Sequence, residues 1–171
     1  MRSTVYVDES KGPPFLLVGA IVSPGARLPA ERALRALLMK GQWRIHMGKE
    51  SPRRRRSIVT ALLKLGISCE VFVCRARSEI DSRSRCLRRL AERAAEIGAS
   101  VLVIERDEAA VTRDRADLTA SLEGTVVRYL HLRPHEDPFL WIADIVAWCW
   151  QRGGSWRRQI AAMVTSVFSV D

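Results

Sequence analysis

The sequence lacks several features by which common protein classes are identified. Its 171 residues contain no apolar run as long as a signal peptide or a membrane helix, because an acid or a turn interrupts the longest apolar stretches. The four cysteines form no CxxC pair, which argues against structural zinc and against a disulfide framework. These absences predict a cytoplasmic protein that does not enter a membrane.

Nucleotide-binding and hydrolase signatures are missing as well. There is no P-loop, GxGxxG, GxSxG or HExxH motif, which argues against simple NTPase, dinucleotide-binding, α/β-hydrolase and zincin classes. The chain shows no internal repeat, low-complexity run or linker. With 47% hydrophobic and 27% charged residues it has an ordinary globular composition, and its length predicts a single domain over residues 1–171.

Negative charge is the scarcer sign. Lysine and arginine number 28 against 19 aspartates and glutamates, for a net charge of +9, and 24 of the 28 cations are arginine. A basic surface attracts phosphate, and arginine binds phosphate with two parallel hydrogen bonds. An arginine-rich composition is equally typical of a GC-rich genome. Nucleic-acid binding is therefore a hypothesis that charge alone does not decide.

Hydrophobic periodicity and turn residues predict alternating strands and helices. Strands at 3–8 and 15–22 should form an antiparallel hairpin around the turn at 11–14. The next elements, in chain order, are helices at about 29–41 and 52–65, a strand at 67–75, a helix at 79–97, a strand at 99–105, a weak helix at 109–123, a strand at 125–132 and helices at 138–152 and 155–168. Helices between the later strands imply right-handed parallel crossovers, and hence a mixed sheet.

One acid is conspicuous in the predicted helix at 138–152. Every residue from Pro138 to Trp150 is apolar except Asp144. The helix therefore has no polar face and should be buried. A buried carboxylate must be paired, hydrogen-bonded, protonated or bound to a cation. The alternative to a functional role is a structural aspartate bonded to an arginine or to backbone donors.

Two predicted strands end in acids. Asp8 follows the first apolar run, and Glu105 ends the run SVLVIE. Strand ends in open sheets are where sites form. The alternatives are that Asp8 and Ser10 begin a turn, and that Glu105 belongs to a solvated loop with Asp107 and Glu108. If the two acids converge with the helix acid, they form an oxygen-only site suited to Mg²⁺ or Mn²⁺, and two such ions can activate water against a phosphodiester.

Consecutive cations form a second group of candidates. Arg53, Arg54, Arg55 and Arg56 occupy a predicted helix start, where the helix dipole disfavours positive charge. A solvated face is the common explanation, and positioning of a nucleic-acid backbone is the functional one, for these arginines and for the nearby Lys49. Histidines are weaker candidates, and near the last predicted strand a surface position is the default.

Four segments together resemble a known family. VYVDES near the start, RIHMGKESPRRR in the middle, VLVIERD on a later strand and PFLWIADIVAW near the end stand in the order typical of the bacterial domain-of-unknown-function family 3800, DUF3800. The resemblance covers nearly the whole chain. The chain departs from the family pattern at Lys11, where glycine usually follows the DES segment, and at residues 140–142, where a glutamine is common.

The resemblance implies a ribonuclease H-like fold. It predicts a mixed five-stranded sheet, an antiparallel hairpin followed by parallel strands, with flanking helices. A two-helix insertion at about 29–66 would follow the second strand, and C-terminal helices would occupy about 138–168.

The resemblance also implies a set of site residues. Acids on the first strand, the fourth strand and the last core helix would bind Mg²⁺ or Mn²⁺, and the matching residues here are Asp8, Glu105 and Asp144. Glu9 and His46 are further catalytic candidates. A fourth acid on the first core helix would be Glu92 or Glu96.

The predicted function is that of a metal-dependent, nuclease-like enzyme that hydrolyses phosphodiester bonds of DNA or RNA, with arginines orienting the backbone. Two alternatives stay open. The first is a non-catalytic nucleic-acid-binding or adaptor protein on the same fold, in which the acids are structural. The second is an interaction module whose tryptophan-rich last helices pair in a homodimer, through residues such as Trp150 and Trp156.

Overall fold

A computed structural model describes residues 2–171, which form a six-stranded mixed sheet with helices on both faces. The strands are β1 (Thr4–Ser10), β2 (Phe15–Val22), β3 (Ser68–Cys74), β4 (Val101–Glu105), β5 (Arg128–Leu132) and β6 (Val164–Ser169). Their order across the sheet is β5-β4-β1-β2-β3-β6. β2 runs antiparallel to both of its neighbours, and the other pairs are parallel, so the carboxyl ends of the remaining five strands meet at one edge.

Six helices in residues 2–171 cover the sheet. They are α1 (Arg27–Ala36), α2 (Pro52–Leu62), α3 (Glu79–Glu96), α4 (Val111–Ser121), α5 (Phe139–Arg152) and α6 (Gly154–Ile160). One hydrophobic core joins α1, α2, α5 and α6 to one face, and a second core joins α3 and α4 to the other. The sheet therefore has two sides with different helices, and a side chain's position along its strand decides which core it enters.

The predicted hairpin and mixed sheet are confirmed. β1 pairs antiparallel with β2 over the whole length of β1, and β2 has the predicted bounds. The two helices between β2 and β3 occupy the predicted insertion, although α1 runs from Arg27 to Ala36 and not over 29–41. α2 begins at residue 52 as predicted, and Ser51 caps it, since the Ser51 side chain accepts a hydrogen bond from the Arg54 N–H.

The predicted helix at 155–168 is wrong in its second half. α6 ends at Ile160, and Val164–Ser169 form β6, which pairs with β3. Exposure alternates residue by residue along VTSVFS, as a strand requires, and Phe168 stacks on Phe72 with ring centroids 4.9 Å apart. Pairing with β3 satisfies the backbone groups on one side of this edge strand, and the sheet has six strands where five were expected.

α5 is the buried helix that the sequence predicts. Residues 139–147 are all buried, and the helix packs on β1 and β2. Phe139 stacks on Tyr6 of β1 at a centroid distance of 5.2 Å. No helix within residues 2–171 has both the length and the apolar character needed to cross a membrane.

The tryptophans of the last two helices pack within the chain. Trp148 of α5 and Trp156 of α6 contact edge to face at 5.3 Å, and the Trp150 ring lies against the Arg157 guanidinium. These contacts explain the tryptophans without a second copy. A homodimer through this surface stays a prediction without support from the structure.

Candidate functional site

Two neighbouring strands carry Asp8 and Glu105 to the same edge and the same face of the sheet. β1 and β4 are parallel, and Val7 lies opposite Ile104. The residues that follow, Asp8 and Glu105, therefore lie side by side. Side chains alternate along a strand, and Tyr6 of β1 enters the core beneath α5. Asp8 therefore faces α5, and the same alternation on β4 turns Glu105 to that side.

α5 supplies the third acid to this face. Asp144 lies on the helix that packs on β1, and it is 9% exposed, compared with 7% for Asp8. Burial, together with the negative charges of Glu105 and Asp144, raises the pKa of Asp8 well above its usual range. The structure thus brings the three predicted acids together on one face, at the carboxyl ends of β1 and β4.

The connection between α1 and α2, residues 37–50, is called the site loop because it contacts two of these acids. Asp144 Oδ2 accepts a hydrogen bond from the Met47 N–H at 2.9 Å, and its Oδ1 lies 3.3 Å from His46 Nδ1. When Nδ1 carries the proton, His46 donates to Asp144 and keeps Nε2 as an acceptor on a partly exposed ring. The predicted candidate His46 is therefore part of the cluster.

Asp8 and Glu105 keep unused acceptor capacity. Asp8 Oδ1 accepts a hydrogen bond from the adjacent Glu9 N–H at 2.8 Å. Glu105 Oε1 accepts from Arg44 Nη1 at 3.3 Å, whereas the buried Oε2 finds no hydrogen-bond partner among residues 2–171. Burial raises the pKa of Glu105, the Arg44 charge opposes this, and the Asp144 charge adds to it, so the pKa is raised overall. An unpartnered buried oxygen beside two other acids is the kind of donor that a hard divalent cation satisfies.

The donor atoms fit Mg²⁺ or Mn²⁺ in kind, although they are not yet arranged as a ligand set. Within residues 2–171, no three His, Cys, Asp or Glu side chains form a group that could already hold a metal ion. Arg44 occupies one oxygen of Glu105, and Asp144 is bonded to the site loop. A cation here requires Glu105 to leave Arg44 or to bind through Oε2.

Three other predicted acids lie on the opposite side of the sheet. Glu9 of β1 points toward α3, where its carboxylate accepts from Arg83. Glu92 and Glu96 lie on α3 itself and pair with Arg89. α3 packs on the face opposite α5, so the structure does not bring any of these acids to the cluster.

The four consecutive arginines of α2 divide into two pairs. Arg54 donates to the Glu50 carboxylate and to the Leu37 carbonyl, and Arg55 donates to the Met47 carbonyl. These two arginines fasten the site loop, a role that the sequence did not indicate. The other two arginines, Arg53 and Arg56, are exposed, and so is the neighbouring Lys49. Their contact with a nucleic-acid backbone stays a prediction.

Sequence reasoning missed a buried ionic network on the α3 side. Arg83 donates to both carboxylate oxygens of Asp114, at 2.9 and 2.8 Å, and His131 Nε2 lies 3.1 Å from the same carboxylate. The surface position that is the default for a histidine near the last predicted strand is wrong for His131, whose side chain is 2% exposed. A signal was present, because Arg83 lies four residues before Leu87 on the apolar stripe of α3.

Sequence comparison does not identify the chain. No family model matches it, and no curated protein matches it. Membership of the family that its motifs resemble therefore stays a prediction.

Comparison with solved structures is informative about the fold. A chain from the PCNA–RNase HII complex of Archaeoglobus fulgidus aligns with a TM-score of 0.58 and 19% identity, over 94% of this chain and 75% of that chain. Ribonuclease H2 of Pyrococcus horikoshii OT3 aligns with a TM-score of 0.53 and 14% identity, over 94% and 74%. A point mutant of Bst RNase HIII aligns with a TM-score of 0.51 and 15% identity, over 95% of this chain but 61% of that one. These likenesses show a ribonuclease H-like fold.

Proposed function

We propose that this chain is a metal-dependent, nuclease-like enzyme that hydrolyses phosphodiester bonds of nucleic acid, with Mg²⁺ or Mn²⁺ held by Asp8, Glu105 and Asp144. The observation that supports it is the convergence of three largely buried carboxylates on one face, at the strand ends of a ribonuclease H-like fold. The net charge of +9 suits a polyanionic substrate. The similar solved proteins are themselves named as ribonucleases.

The three acids contribute differently to this proposal. Asp8 and Glu105 are the less committed ligands, since the first has one local hydrogen bond and the second has an unpartnered Oε2. Asp144 is oriented by the site loop from two sides. A bound divalent cation would supply Lewis acidity toward phosphate oxygens and lower the pKa of water.

His46 is the residue that the geometry suits for proton transfer. Its Nδ1 is anchored on Asp144 Oδ1, and its ring is partly exposed at the edge of the cluster. A neutral imidazole held in this way accepts a proton at Nε2 from an attacking water, and the protonated ring donates one to a leaving oxygen. Glu9 has no comparable role in the proposal, because it faces Arg83 on the other side of the sheet.

A second candidate function is nucleic-acid binding without catalysis on the same fold. The observation that favours it is that two of the three acids are already bonded to the site loop, Glu105 through Arg44 and Asp144 through Met47. No ready metal-ligand group exists within residues 2–171. In this alternative Glu105 holds the site loop to β4 and Asp144 holds it to α5.

Cleavage assays separate the two candidates. Labelled DNA and RNA, single-stranded and duplex, are incubated with the wild-type protein in Mg²⁺, Mn²⁺ or EDTA. The nuclease proposal expects cleavage in Mg²⁺ or Mn²⁺ and none in EDTA. It also expects the cleavage rate to fall by about a hundredfold or more in Asp8→Asn. Glu108→Gln is the matched control, because Glu108 is an exposed acid just beyond β4 that pairs with Arg106.

The outcomes point to different conclusions. Cleavage in EDTA, or cleavage untouched by Asp8→Asn, contradicts the proposed site. Nucleic-acid binding that is insensitive to metal, with no cleavage of any of the substrates, supports the non-catalytic candidate. Circular dichroism of each variant shows whether lost activity reflects lost folding.

A further inference from the structure

A tryptophan with an exposed indole lies in the site loop. Trp43 is 80% exposed, the largest exposed fraction among the large apolar side chains of residues 2–171. The other four tryptophans are buried or half-buried. Single exposed apolar residues are ordinary on protein surfaces, so the exposure acquires meaning only from what surrounds it.

The residues on both sides of Trp43 are held in place. Gln42 Nε2 donates to Glu50 Oε1 at 2.9 Å, and Arg44 Nη1 donates to Glu105 Oε1 at 3.3 Å. The indole is therefore carried by a fixed piece of backbone, one residue from a direct contact with a site acid. Binding to a side chain on a fixed backbone loses less conformational entropy than binding to one on a mobile loop.

The charge of the chain segment that contains Trp43 indicates the kind of ligand. Residues 40–56 contain seven lysines and arginines and a single acid. Arg44, Arg54 and Arg55 are used in hydrogen bonds within the protein. The remaining four cations are exposed, and they are Lys40, Lys49, Arg53 and Arg56. A segment that carries an exposed aromatic ring and several exposed cations has the two kinds of group by which proteins bind single-stranded nucleic acid, through base stacking and phosphate contacts.

We propose that Trp43 is a stacking platform for an unpaired nucleobase, and that the exposed cations of residues 40–56 contact the phosphates of the same strand. A base inside a continuous duplex is stacked on both faces and cannot stack on an indole. The site should therefore take single-stranded nucleic acid, or an unpaired nucleotide, in preference to continuous duplex. This inference rests on the proposed function in taking nucleic acid as the ligand.

Binding measured in EDTA tests the platform without cleavage. Fluorescence anisotropy compares wild type, Trp43→Ala and Trp43→Phe on a labelled single strand and on a blunt duplex of the same sequence. Trp43→Ala should weaken single-strand binding about tenfold, Trp43→Phe should keep most of the affinity, and duplex binding should change little. Val126→Ala is the control, because Val126 is 66% exposed and precedes β5, at the sheet edge opposite the acids.

Three results overturn the platform. The first is that Trp43→Ala binds the single strand as tightly as wild type does. The second is that Trp43→Ala loses affinity equally for single strand and duplex. The third is that wild type sediments as a dimer and Trp43→Ala as a monomer, which shows that a second copy of the chain covers Trp43. Failure of the nuclease proposal is seen separately, as absence of metal-dependent cleavage by the wild type. Cleavage that persists while binding ignores Trp43 refutes the platform alone.

Discussion

Arg44 of the site loop donates from Nη1 to Oε1 of Glu105, the acid that ends β4, at 3.3 Å. The bond ties the helical insertion to the sheet across 61 residues of sequence. Burial raises the pKa of Glu105 and the Arg44 charge opposes this effect. Arg44 therefore compensates part of the negative charge of the cluster, and it does so by occupying one of the two Glu105 oxygens that are ligands of the right kind for a divalent cation.

Arg44→Ala is expected to have opposite effects without and with metal. Without metal it should lower the free energy of unfolding by about 1 kcal/mol, because Glu105 loses its hydrogen-bonded cation. With Mn²⁺ the stabilisation by metal should exceed that of wild type, because Oε1 is released. Thermal unfolding with and without Mn²⁺ measures both, and Arg53→Ala controls for the lost net charge. An equal or smaller gain from Mn²⁺ in Arg44→Ala would show that Arg44 does not compete with the cation.

Asp8→Asn is expected to stabilise the metal-free protein at neutral pH. The folded-state pKa of Asp8 is raised, so the unfolded chain binds fewer protons than the folded one between about pH 3.9 and that raised value. Stability should fall as pH rises through this window. Removing the charge should raise Tm at pH 7 by about 2–4 °C in EDTA, for roughly 1 kcal/mol, and the gain should shrink toward pH 4.

Melting curves in EDTA from pH 4 to pH 8 measure this effect, in wild type, Asp8→Asn and the exposed-acid control Glu108→Gln. A gain that does not vary with pH, or that appears equally in Glu108→Gln, would mean that Asp8 is not held in a repulsive, desolvated cluster.

Local pattern was sufficient for much of the fold and for part of the site. The bounds of β2 follow from a continuous apolar run, and the start of α2 follows from Ser51. Asp144 was recognisable because its helix offers no polar face. The opposite orientations of Asp8 and Glu9 also follow from the period of a strand, once the strand is taken through both residues.

What local pattern could not supply depends on long-range pairing. Nothing around Arg44 shows that it reaches Glu105, and nothing around Arg83 shows that it reaches Asp114. β6 is only six residues long and follows a helix, so its local sequence does not decide between strand and helix. It is a strand because β3 offers it unpaired backbone groups. These contacts join residues that lie far apart in the chain, and no local sequence pattern identifies the two partners.

The Arg83–Asp114 pair should carry a large share of stability on the α3 side. Burial raises the pKa of Asp114, but hydrogen bonds from Arg83 and His131 outweigh it, and the pKa is lowered overall. This acid therefore adds stability that is present above its unfolded pKa and is lost as pH falls through the lower folded value. Arg83→Met leaves the buried Asp114 carboxylate with only its contact to His131 and should cost about 3 kcal/mol at pH 7.

Urea unfolding at pH 7 and near pH 3 measures this loss and its decrease in acid. Arg85→Met removes an arginine from the exposed side of the same helix and is the comparison. A loss in Arg83→Met no greater than that in Arg85→Met would contradict the structural role of the pair.

We expect substitutions of two adjacent residues of β6 to change the free energy of unfolding by unequal amounts. Phe168 stacks on Phe72 of β3 and lies under the Arg89 guanidinium, with 5.0 Å between the guanidinium carbon and the ring centroid. Val167 points to the other face and is 52% exposed. Because Phe168 is partly buried, Phe168→Ala should destabilise by about 2 kcal/mol, whereas Val167→Ala should stay within about 0.5 kcal/mol. Urea unfolding measures both, and amide exchange should show β6 protected through its bonds to β3. Equal losses in the two variants, together with unprotected amides, would contradict the strand and favour the helix that hydrophobic periodicity predicts at 155–168.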